Sequence, residues 1–288
     1  MSAADGLVVV DKPAGWTSHD VVAKVRRFAG TRKVGHAGTL DPMATGVLVL
    51  GVERATRLLG HLALHDKEYD ATIRLGRGTT TDDADGEYLG ADAEGVAADI
   101  EDARIAQAMS ALIGDIDQVP SSVSAIKVDG VRAYKRARDG EVVELKARRV
   151  TVEAFDLVER RGNELDVRVT CSTGTYVRAL ARDLGTMLGV GGHLTALRRT
   201  RSGPYTVDEA RSLEELERSF TTTSLAEAVG KTFPVITVTD EDALRISHGQ
   251  RLALPLAAST TGVFTEDGRV IALVEDRGGV AQPVCVFV

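Results

Sequence analysis

VGHAGTLDPMATGVLVLG, residues Val34–Gly51, combines a glycine-rich loop with an apolar run. The run Val47–Val52 has the length and composition typical of a buried strand. The preceding segment, Arg32–Pro42, contains two glycines and an Asp-Pro pair and has no consistent period, so we predict a loop there. Loops between ordered elements often carry functional residues. His36 and Asp41 are therefore candidates for binding or catalysis.

The chain before and after this stretch predicts alternating strands and helices. Leu7–Val10 is predicted as a short buried strand. Thr17 and Asp20 form a capping-box pattern, which predicts a helix that ends at Gly30. In the segment YDATIRL the apolar residues alternate with polar ones, which predicts a strand with Tyr69 on its apolar face.

The second half of the chain continues this pattern. Apolar residues at helical spacing predict a helix over residues 105–113 that stops at Gly114. Leu165–Cys171 alternates as a strand, and helical spacing resumes after a glycine, which places Arg178 near a strand-to-helix junction. From Phe233 onward, short β-like runs separated by glycine turns predict a small, mostly β module.

The composition indicates a folded protein with a large core. The chain has 288 residues, of which 43% are hydrophobic and 27% charged, so we expect a large domain with a small one appended. The sequence lacks a signal-peptide pattern and a run of membrane-spanning length, which predicts a cytoplasmic protein. Cys171 and Cys285 are far apart and outside any CxxC pair. They predict buried apolar residues rather than a disulfide or a zinc site.

The charge of the whole chain argues mildly against a polyanionic partner, because the formal net charge is −7. Basic residues nevertheless form four clusters. Their members are Arg26, Arg27, Arg32, Lys33, Arg132, Lys135, Arg136, Lys146, Arg148, Arg149, Arg198, Arg199 and Arg201. One such cluster alone is usually a solvated surface. Four clusters beside candidate functional segments favour contact with a polyanion nevertheless. The dipeptide Asp129-Gly130 within the second cluster predicts a turn.

The loop and strand of Val34–Gly51 resemble the signature of the TruB family of tRNA pseudouridine synthases. That signature is Gly-His-x-Gly-x-Leu-Asp-Pro-x-Ala-x-Gly, and this chain matches every specified position. Other blocks resemble the family in the same order: DKPAGWTSHD, KEYDATIRLG, TDDADG, VPSSVSAIKVDGVRAYKRARDG, CSTGTYVRALARDLG and HLTALRRTRSG. The resemblance implies an α+β fold, with a central mixed, mainly antiparallel sheet flanked by helices.

A second resemblance concerns the C-terminal part. From about Lys231, the segment FPVITVTDEDALRISHGQRL resembles the opening of a PUA domain, a small β-barrel that binds RNA. The two resemblances together imply a catalytic pseudouridine synthase domain over residues 1–230 and a PUA-like RNA-binding domain over residues 231–288.

The resemblance also implies an activity and a set of site residues. The expected reaction is isomerisation of uridine 55 in the T arm of tRNA to pseudouridine. It requires no cofactor, metal ion or protein partner. Position by position, the resemblance implies three catalytic residues and three substrate-binding residues. The catalytic ones are Asp41, Tyr69 and Arg178, and the substrate-binding ones are His36, Tyr176 and Leu197.

The chemistry of these residue types suits that reaction. An aspartate, with an ordinary pKa of about 3.9, is ionised at neutral pH, so Asp41 can either attack the sugar or remove a sugar proton. A fixed cation such as Arg178 would lower the pKa of Asp41 against desolvation. The target uridine must be flipped out of the folded T arm, and Tyr69 can stack on the flipped base or remove the C5 proton.

Other interpretations of the same residues remain open. An aspartate in a glycine-rich loop is most often a turn former, and tyrosines in strands are most often core residues. The segment TDDADGEYLGAD approaches a calcium-loop pattern, but Thr81 replaces the first ligand and Asp92 stands where a glutamate is expected. The rival functions are a metal-dependent phosphatase or nuclease and, from another class, an RNA-binding or tRNA-folding protein without catalysis.

Overall fold

A computed structural model describes residues 5–121, 127–128, 131–132, 145–256 and 259–288. The chain divides into two compact units. Unit 1 comprises Met1–Leu64 and Arg201–Val288, and unit 2 comprises His65–Thr200. The predicted domain boundary after residue 230 falls inside unit 1 and stays a prediction.

The described residues contain the following elements. The strands are β1 Gly6–Lys12, β2 Val34–His36, β3 Thr45–Val52, β4 Lys67–Leu75, β5 Gly78–Thr79, β6 Tyr88–Leu89, β7 Gly114–Gln118, β8 Lys127–Val128, β9 Val131–Arg132, β10 Arg148–Arg161, β11 Glu164–Cys171, β12 Gly192–Ser202, β13 Tyr205–Thr206, β14 Thr223–Ser224, β15 Val235–Val238, β16 Thr260–Thr265, β17 Val270–Asp276 and β18 Ala281–Val286. The α-helices are α1 Ser18–Ala29, α2 Leu59–Ala63, α3 Glu94–Ala98, α4 Asp102–Ser110, α5 Val177–Leu188, α6 Leu213–Arg218, α7 Leu225–Thr232 and α8 Asp240–Ser247. Two 3₁₀ helices span Glu53–Leu58 and Val207–Glu209.

In unit 1, β1 pairs antiparallel with β3 and β14, and β2 pairs antiparallel with β3. Because successive side chains point to opposite faces of a strand, the apolar runs of β1 and β3 supply two cores. Val9 and Val49 belong to one core, and Val10 and Leu50 to the other. The predicted buried strands are confirmed.

Helix α1 covers the second of these cores with Val21, Val22 and Val25. The predicted capping box at its start is confirmed, since Thr17 and Asp20 exchange side-chain and backbone hydrogen bonds. The helix ends where Gly30 adopts a left-handed conformation with φ of 66°, which glycine accepts without steric cost.

The C-terminal part forms a four-stranded sheet in the order β15-β16-β17-β18. The pair β15–β16 is parallel and the other pairs are antiparallel. The predicted β module is confirmed as a sheet domain, but no strand pairing within the described ranges closes it into a barrel. Leu273 and Phe287 join Leu7 and Val9 in one apolar core. The C-terminal sheet and β1 therefore bury apolar side chains in the same core.

In unit 2 the strands follow the order β12-β4-β11-β10-β7. Strand β4 pairs antiparallel with β11, with Tyr69 opposite Val169, and every second residue of β4 is buried, as the alternation predicts. Helices α4 and α5 contact each other and bury Ile105 and Leu184. With the sheet mixed and mainly antiparallel and helices beside it, the predicted α+β class is confirmed.

Three local predictions need correction or fall outside the described ranges. The predicted loop over Arg32–Pro42 contains β2, because Val34 is buried and its backbone pairs with Val52. Helix α4 stops before Gly114, which instead begins β7. The dipeptide Asp129-Gly130 lies outside the described residues, although β8 and β9 on either side of it pair antiparallel. In the parts of the chain that the structure describes, no helix is long and apolar enough to cross a membrane.

Candidate active site

The loop that carries Asp41, residues 37–44, connects β2 to β3 in unit 1. The ladder between the two strands continues into the loop, where the Ala37 N–H donates to the Val49 carbonyl at 2.9 Å. At the other end, the Ala44 N–H donates to the Asp41 carbonyl at 3.1 Å. Gly38 has a φ of 98°, a conformation that strongly favours glycine. Asp41 itself is partly exposed on this closed loop.

Ser18 fixes the residue before Asp41. Its Oγ accepts from the Leu40 N–H at 2.9 Å and lies 3.1 Å from the Leu40 carbonyl, to which it donates. Ser18 and Leu40 are both buried. A hydroxyl can make both bonds because it is a donor and an acceptor. The first turn of α1 thus holds the loop backbone at Leu40.

Lys12 fixes the residue after Asp41. Its ammonium is buried and donates to the carbonyl of Pro42 at 3.2 Å, to that of Trp16 at 2.7 Å and to that of Pro13 at 2.9 Å. Close by, the Gly15 N–H donates to the Pro42 carbonyl at 2.8 Å. A buried ammonium is tolerated only where polar groups surround it, and three carbonyls do so here. The residues on both sides of Asp41, Leu40 and Pro42, are therefore held by hydrogen bonds from buried side chains.

His36 lies at the end of β2, opposite Leu50 of β3. It is partly exposed, and its ring meets the ring of His19 edge-on, with 5.8 Å between the centroids. The predicted site residues of unit 1, His36 and Asp41, thus lie on one strand-and-loop segment.

Tyr69 and Leu197 lie on adjacent strands of unit 2. Both are buried, each with 8% of its surface exposed, which confirms the inward orientation predicted for Tyr69. The Thr195 Oγ donates to the Thr72 carbonyl at 3.2 Å, and the Thr200 Oγ donates to a Glu68 carboxylate oxygen at 2.9 Å. These bonds place Leu197 beside the part of β4 that contains Tyr69.

Arg178 is buried in the first turn of α5. Its Nη1 donates to Asp83 Oδ2 at 3.1 Å and to the Thr81 carbonyl at 2.9 Å. Ser121 Oγ lies 2.7 Å from Asp82 Oδ2 and 2.9 Å from the Thr81 carbonyl. These bonds tie residues 81–83, the acidic turn, to the guanidinium of Arg178. The sequence predicted a cationic role of Arg178 toward Asp41, and that role stays a prediction.

The acidic turn also contacts the strand of Leu197. The Leu194 N–H donates to the Asp82 carbonyl at 3.0 Å, three residues before Leu197. Asp82 has a positive φ of 59°, which aspartate tolerates better than most residues. Unit 2 therefore brings Arg178 and its turn to the strand pair that carries Tyr69 and Leu197.

Tyr176 precedes α5 and is partly exposed. Its backbone is held by the side-chain amide of Gln118, which accepts from the Tyr176 N–H at 2.8 Å and donates to the Tyr176 carbonyl at 3.1 Å. Gln118 is buried and ends β7. This pair of bonds fixes the backbone from which both Tyr176 and Arg178 project.

Two basic residues, Lys67 and Arg199, lie on the strands that carry Tyr69 and Leu197. Lys67, two residues before Tyr69, is buried, and burial together with the nearby charge of Arg199 lowers the pKa of Lys67 to about 8. Opposite Lys67 on β11, burial raises the pKa of the Cys171 thiol to about 11, so the thiol stays neutral. Cys171 is buried as predicted, whereas Cys285 is only partly buried.

The calcium-like pattern TDDADG has no sign of a cation site in the part of the chain that is described. No group of three or more His, Cys, Asp or Glu side chains there could hold a metal ion. The carboxylates of Asp82 and Asp83 bind Arg182, Ser121 and Arg178 instead.

Several residues of this arrangement were missed by reasoning from the sequence. Lys12 and Ser18 hold the neighbours of Asp41, whereas Asp83 and Gln118 bond to Arg178 and Tyr176 themselves. None of the four was assigned a role. Lys12, Ser18 and Asp83 lie in blocks that carry the family resemblance, which is the available signal for them. Gln118 lies outside those blocks, so the sequence offered no signal for its role.

Comparisons with known proteins identify the family. The profile of the TruB family pseudouridylate synthase N-terminal domain matches residues 26–177. The profile of a tRNA pseudouridylate synthase B C-terminal domain matches residues 178–235, and that of a tRNA pseudouridine synthase II C-terminal domain matches residues 233–288.

Curated relatives match over nearly the whole chain. The chain is 60% identical to the tRNA pseudouridine synthase B of Thermobifida fusca (strain YX), and the match covers 99% of each chain. It is 57% identical to the tRNA pseudouridine synthase B of Streptomyces coelicolor, over 98% of this chain and 97% of that one.

Solved structures extend the likeness to the fold. A Cbf5-Nop10-Gar1 complex contains a chain that matches with a TM-score of 0.77 and 26% identity, over 100% of this chain and 86% of that chain. A chain of an H/ACA RNP bound to a substrate RNA containing 2′-deoxyuridine matches with a TM-score of 0.73 and 26% identity. This match covers 98% of this chain and 85% of that chain. A family profile that spans more than half of the sequence, relatives of high identity at full length and an anchored aspartate loop lead to one conclusion: this chain belongs to the TruB family of pseudouridylate synthases.

Proposed function

We propose that this chain isomerises uridine 55 in the T arm of tRNA to pseudouridine, with Asp41 as the catalytic carboxylate. The observation that carries the proposal is the anchoring of the Asp41 loop. Ser18 binds the backbone of Leu40, and Lys12 binds the carbonyl of Pro42. A reacting group held by its supporting structure loses little freedom when the substrate arrives, and this lowers the barrier.

The proposed chemistry breaks the bond between C1′ and N1, turns the uracil and joins C1′ to C5. The C5 hydrogen then leaves as a proton and N1, no longer bonded to the sugar, takes up a proton, so atoms and electrons balance without an oxidant or a group carrier. We propose Tyr69 and Arg178 as further catalytic residues, with Tyr69 as a stacking surface and candidate base. We propose His36, Tyr176 and Leu197 as substrate-binding residues. The burial of Tyr69 and Leu197 on adjacent strands suits a pocket that excludes water from a base.

The substrate RNA is proposed to contact both parts of the chain. We assign residues 1–230 to catalysis and residues 231–288, the PUA-like part, to RNA binding. The separate family profile over residues 233–288 supports this division. Because tRNA is the proposed substrate, we also propose that the protein works in the cytoplasm.

Tritium release tests the proposal. T-arm RNA with tritium at C5 of its uridines is incubated with the wild-type chain, with Asp41→Asn and with Asp208→Asn, in the presence and absence of a chelator. Asp208 is an exposed carboxylate of unit 1 and serves as the matched control. We expect release with the wild type and with Asp208→Asn, with or without chelator, and no release with Asp41→Asn.

Three results would contradict the proposal. Tight RNA binding without tritium release by the wild-type chain would favour the non-catalytic RNA-binding alternative. Release by Asp41→Asn at the wild-type rate would remove Asp41 from the chemistry. Loss of release in chelator would point to the metal-dependent class.

A further inference from the structure

A groove of about 500 Å³ lies on the surface of unit 1, beside the anchor of the Asp41 loop. Its lining comes from the residues before α1 and from one face of that helix. They are Gly15, Trp16, Asp20, Ala23, Lys24 and Arg27. None of these residues has a role in the proposed chemistry.

Trp16 gives the groove an aromatic wall. It is half-buried, because one side of the ring packs on the core beneath α1. The ammonium of Lys24 lies 5.8 Å from the centre of the ring, within the range of a cation–π interaction. The ring is therefore held in place, while part of it remains open to solvent. Tryptophan presented in this way is a good stacking surface for a nucleobase.

The charges of the groove favour an anion. Lys24 and Arg27 have no ion-pair partner among the described residues, unlike many other basic residues of the chain. Asp20 is the acidic member of the lining, and its Oδ2 accepts from the N–H and the hydroxyl of Thr17. Those bonds lower the pKa of Asp20 and keep it charged, so the lining carries a net charge of about +1. In a chain with a formal charge of −7, a basic groove with an aromatic wall is a local exception.

The position of the groove ties it to the Asp41 loop. The ammonium of Lys12 binds the carbonyls of Trp16 and Pro42 together, at 2.7 and 3.2 Å. The lining residue Gly15 donates to the same Pro42 carbonyl at 2.8 Å. Pro42 follows Asp41 directly, so a strand of RNA with one nucleotide at Asp41 passes near the groove.

We propose that this groove binds a second, unpaired nucleotide of the substrate RNA, with its base stacked on Trp16 and its phosphates held by Lys24 and Arg27. The inference rests on the proposed function, because that function supplies the RNA. Aromatic stacking accepts any base, and lysine and arginine bind phosphates without reading sequence. The groove therefore adds affinity and position rather than base specificity.

Trp16 is the single tryptophan of the chain, so its fluorescence reports on this groove alone. Unlabelled T-arm RNA is titrated into the wild-type chain while the tryptophan emission is followed. We expect quenching that saturates together with binding. End-labelled RNA then gives Kd by anisotropy at several salt concentrations for the wild type, Trp16→Phe, Lys24→Gln, Arg27→Gln and Arg218→Gln.

Arg218 is the matched control, an exposed arginine of another helix that bonds to the backbone of its own helix. Removing a phosphate contact reduces the slope of log Kd against log salt by about 0.7–0.9, so we expect that change for Lys24→Gln and for Arg27→Gln. Trp16→Phe keeps a smaller aromatic ring, and we expect Kd to rise roughly 3-fold to 10-fold from weaker stacking. Arg218→Gln should bind as the wild type does.

The outcomes separate this inference from the proposed function. Tritium release by the wild type without any change in tryptophan emission would refute RNA binding in the groove and would not contradict the proposed isomerisation. Unchanged Kd and salt slope in Lys24→Gln and Arg27→Gln would also overturn it, and so would a similar loss in Arg218→Gln. Quenching without tritium release would support RNA binding in the groove and refute the proposed isomerase activity. Circular dichroism of each variant checks that a raised Kd does not come from unfolding.

Discussion

Replacing Ser18 by alanine tests whether one buried hydroxyl positions the Asp41 loop. The change removes both hydrogen bonds to Leu40, at 2.9 and 3.1 Å, and adds no heavy atom that could clash with the loop. Ser18 and Leu40 are 1% and 4% exposed, so water cannot easily replace the hydroxyl. The Leu40 N–H and carbonyl would be left without their partner.

The expected cost follows from these contacts. A buried polar group that loses its partner costs about 1–3 kcal/mol, and the carbonyl retains a second lone pair, so we expect a total loss of about 2–4 kcal/mol. A domain with a typical stability of about 5–15 kcal/mol would remain folded. Urea unfolding followed by circular dichroism measures the loss, and tritium release at saturating RNA measures kcat.

Val22→Ala is the matched control, because Val22 is buried on the same helix and does not bond to the loop. Its cavity should cost about 2 kcal/mol. We expect kcat to fall much further in Ser18→Ala than in Val22→Ala, since the loop backbone beside Asp41 is released. A stability loss below about 1 kcal/mol would show that the hydrogen bonds contribute little. Equal kcat in the two variants would refute the positioning role.

Two further predictions concern unit 2. Asp83→Asn removes the charge that faces the buried Arg178 guanidinium, and breaking such a pair costs about 3–5 kcal/mol, so urea unfolding should detect a clear loss. Asp70→Asn, which breaks a partly exposed pair with Arg168, should lose little stability. An unchanged midpoint for Asp83→Asn would contradict the buried pair. Burial and the charge of Arg199 lower the pKa of Lys67 to about 8, below its ordinary 10.5. Between these two pH values the unfolded chain binds more protons than the folded chain. The free energy of unfolding should therefore rise with pH there, by up to about 1.4 kcal/mol per pH unit. Lys67→Met should remove that rise, and parallel curves of unfolding free energy against pH for the two proteins would disprove it.

The sequence predicts the elements whose cause is local. The apolar run Val47–Val52, the capping box of Thr17 and the alternation around Tyr69 each depend on neighbours a few residues away. All three are confirmed. Strand β2 was missed because its three residues have no pattern of their own and depend on pairing with β3.

The supports of the site could not be predicted in the same way. Ser18 bonds to a residue 22 positions away, and Lys12 to one 30 positions away. A lysine after an apolar strand is normally expected at the surface, so its burial depends on carbonyls that only the folded loop assembles. The resemblance to the TruB family indicated Arg178 as functional, but its bond to Asp83 depends on a turn 95 residues earlier in the chain.

The division of the chain has a consequence for synthesis. Unit 2 is one continuous segment inserted between the two segments of unit 1. Leu7 shares a core with Val229 and Phe287, so that core cannot be completed until both segments have been made. Contacts that close such long stretches of chain form late. We therefore expect nascent chains arrested soon after residue 200 to resist limited proteolysis within the described parts of 65–200 and to be cut near Asp41, so that the Asp41 loop is among the last parts of the protein to mature.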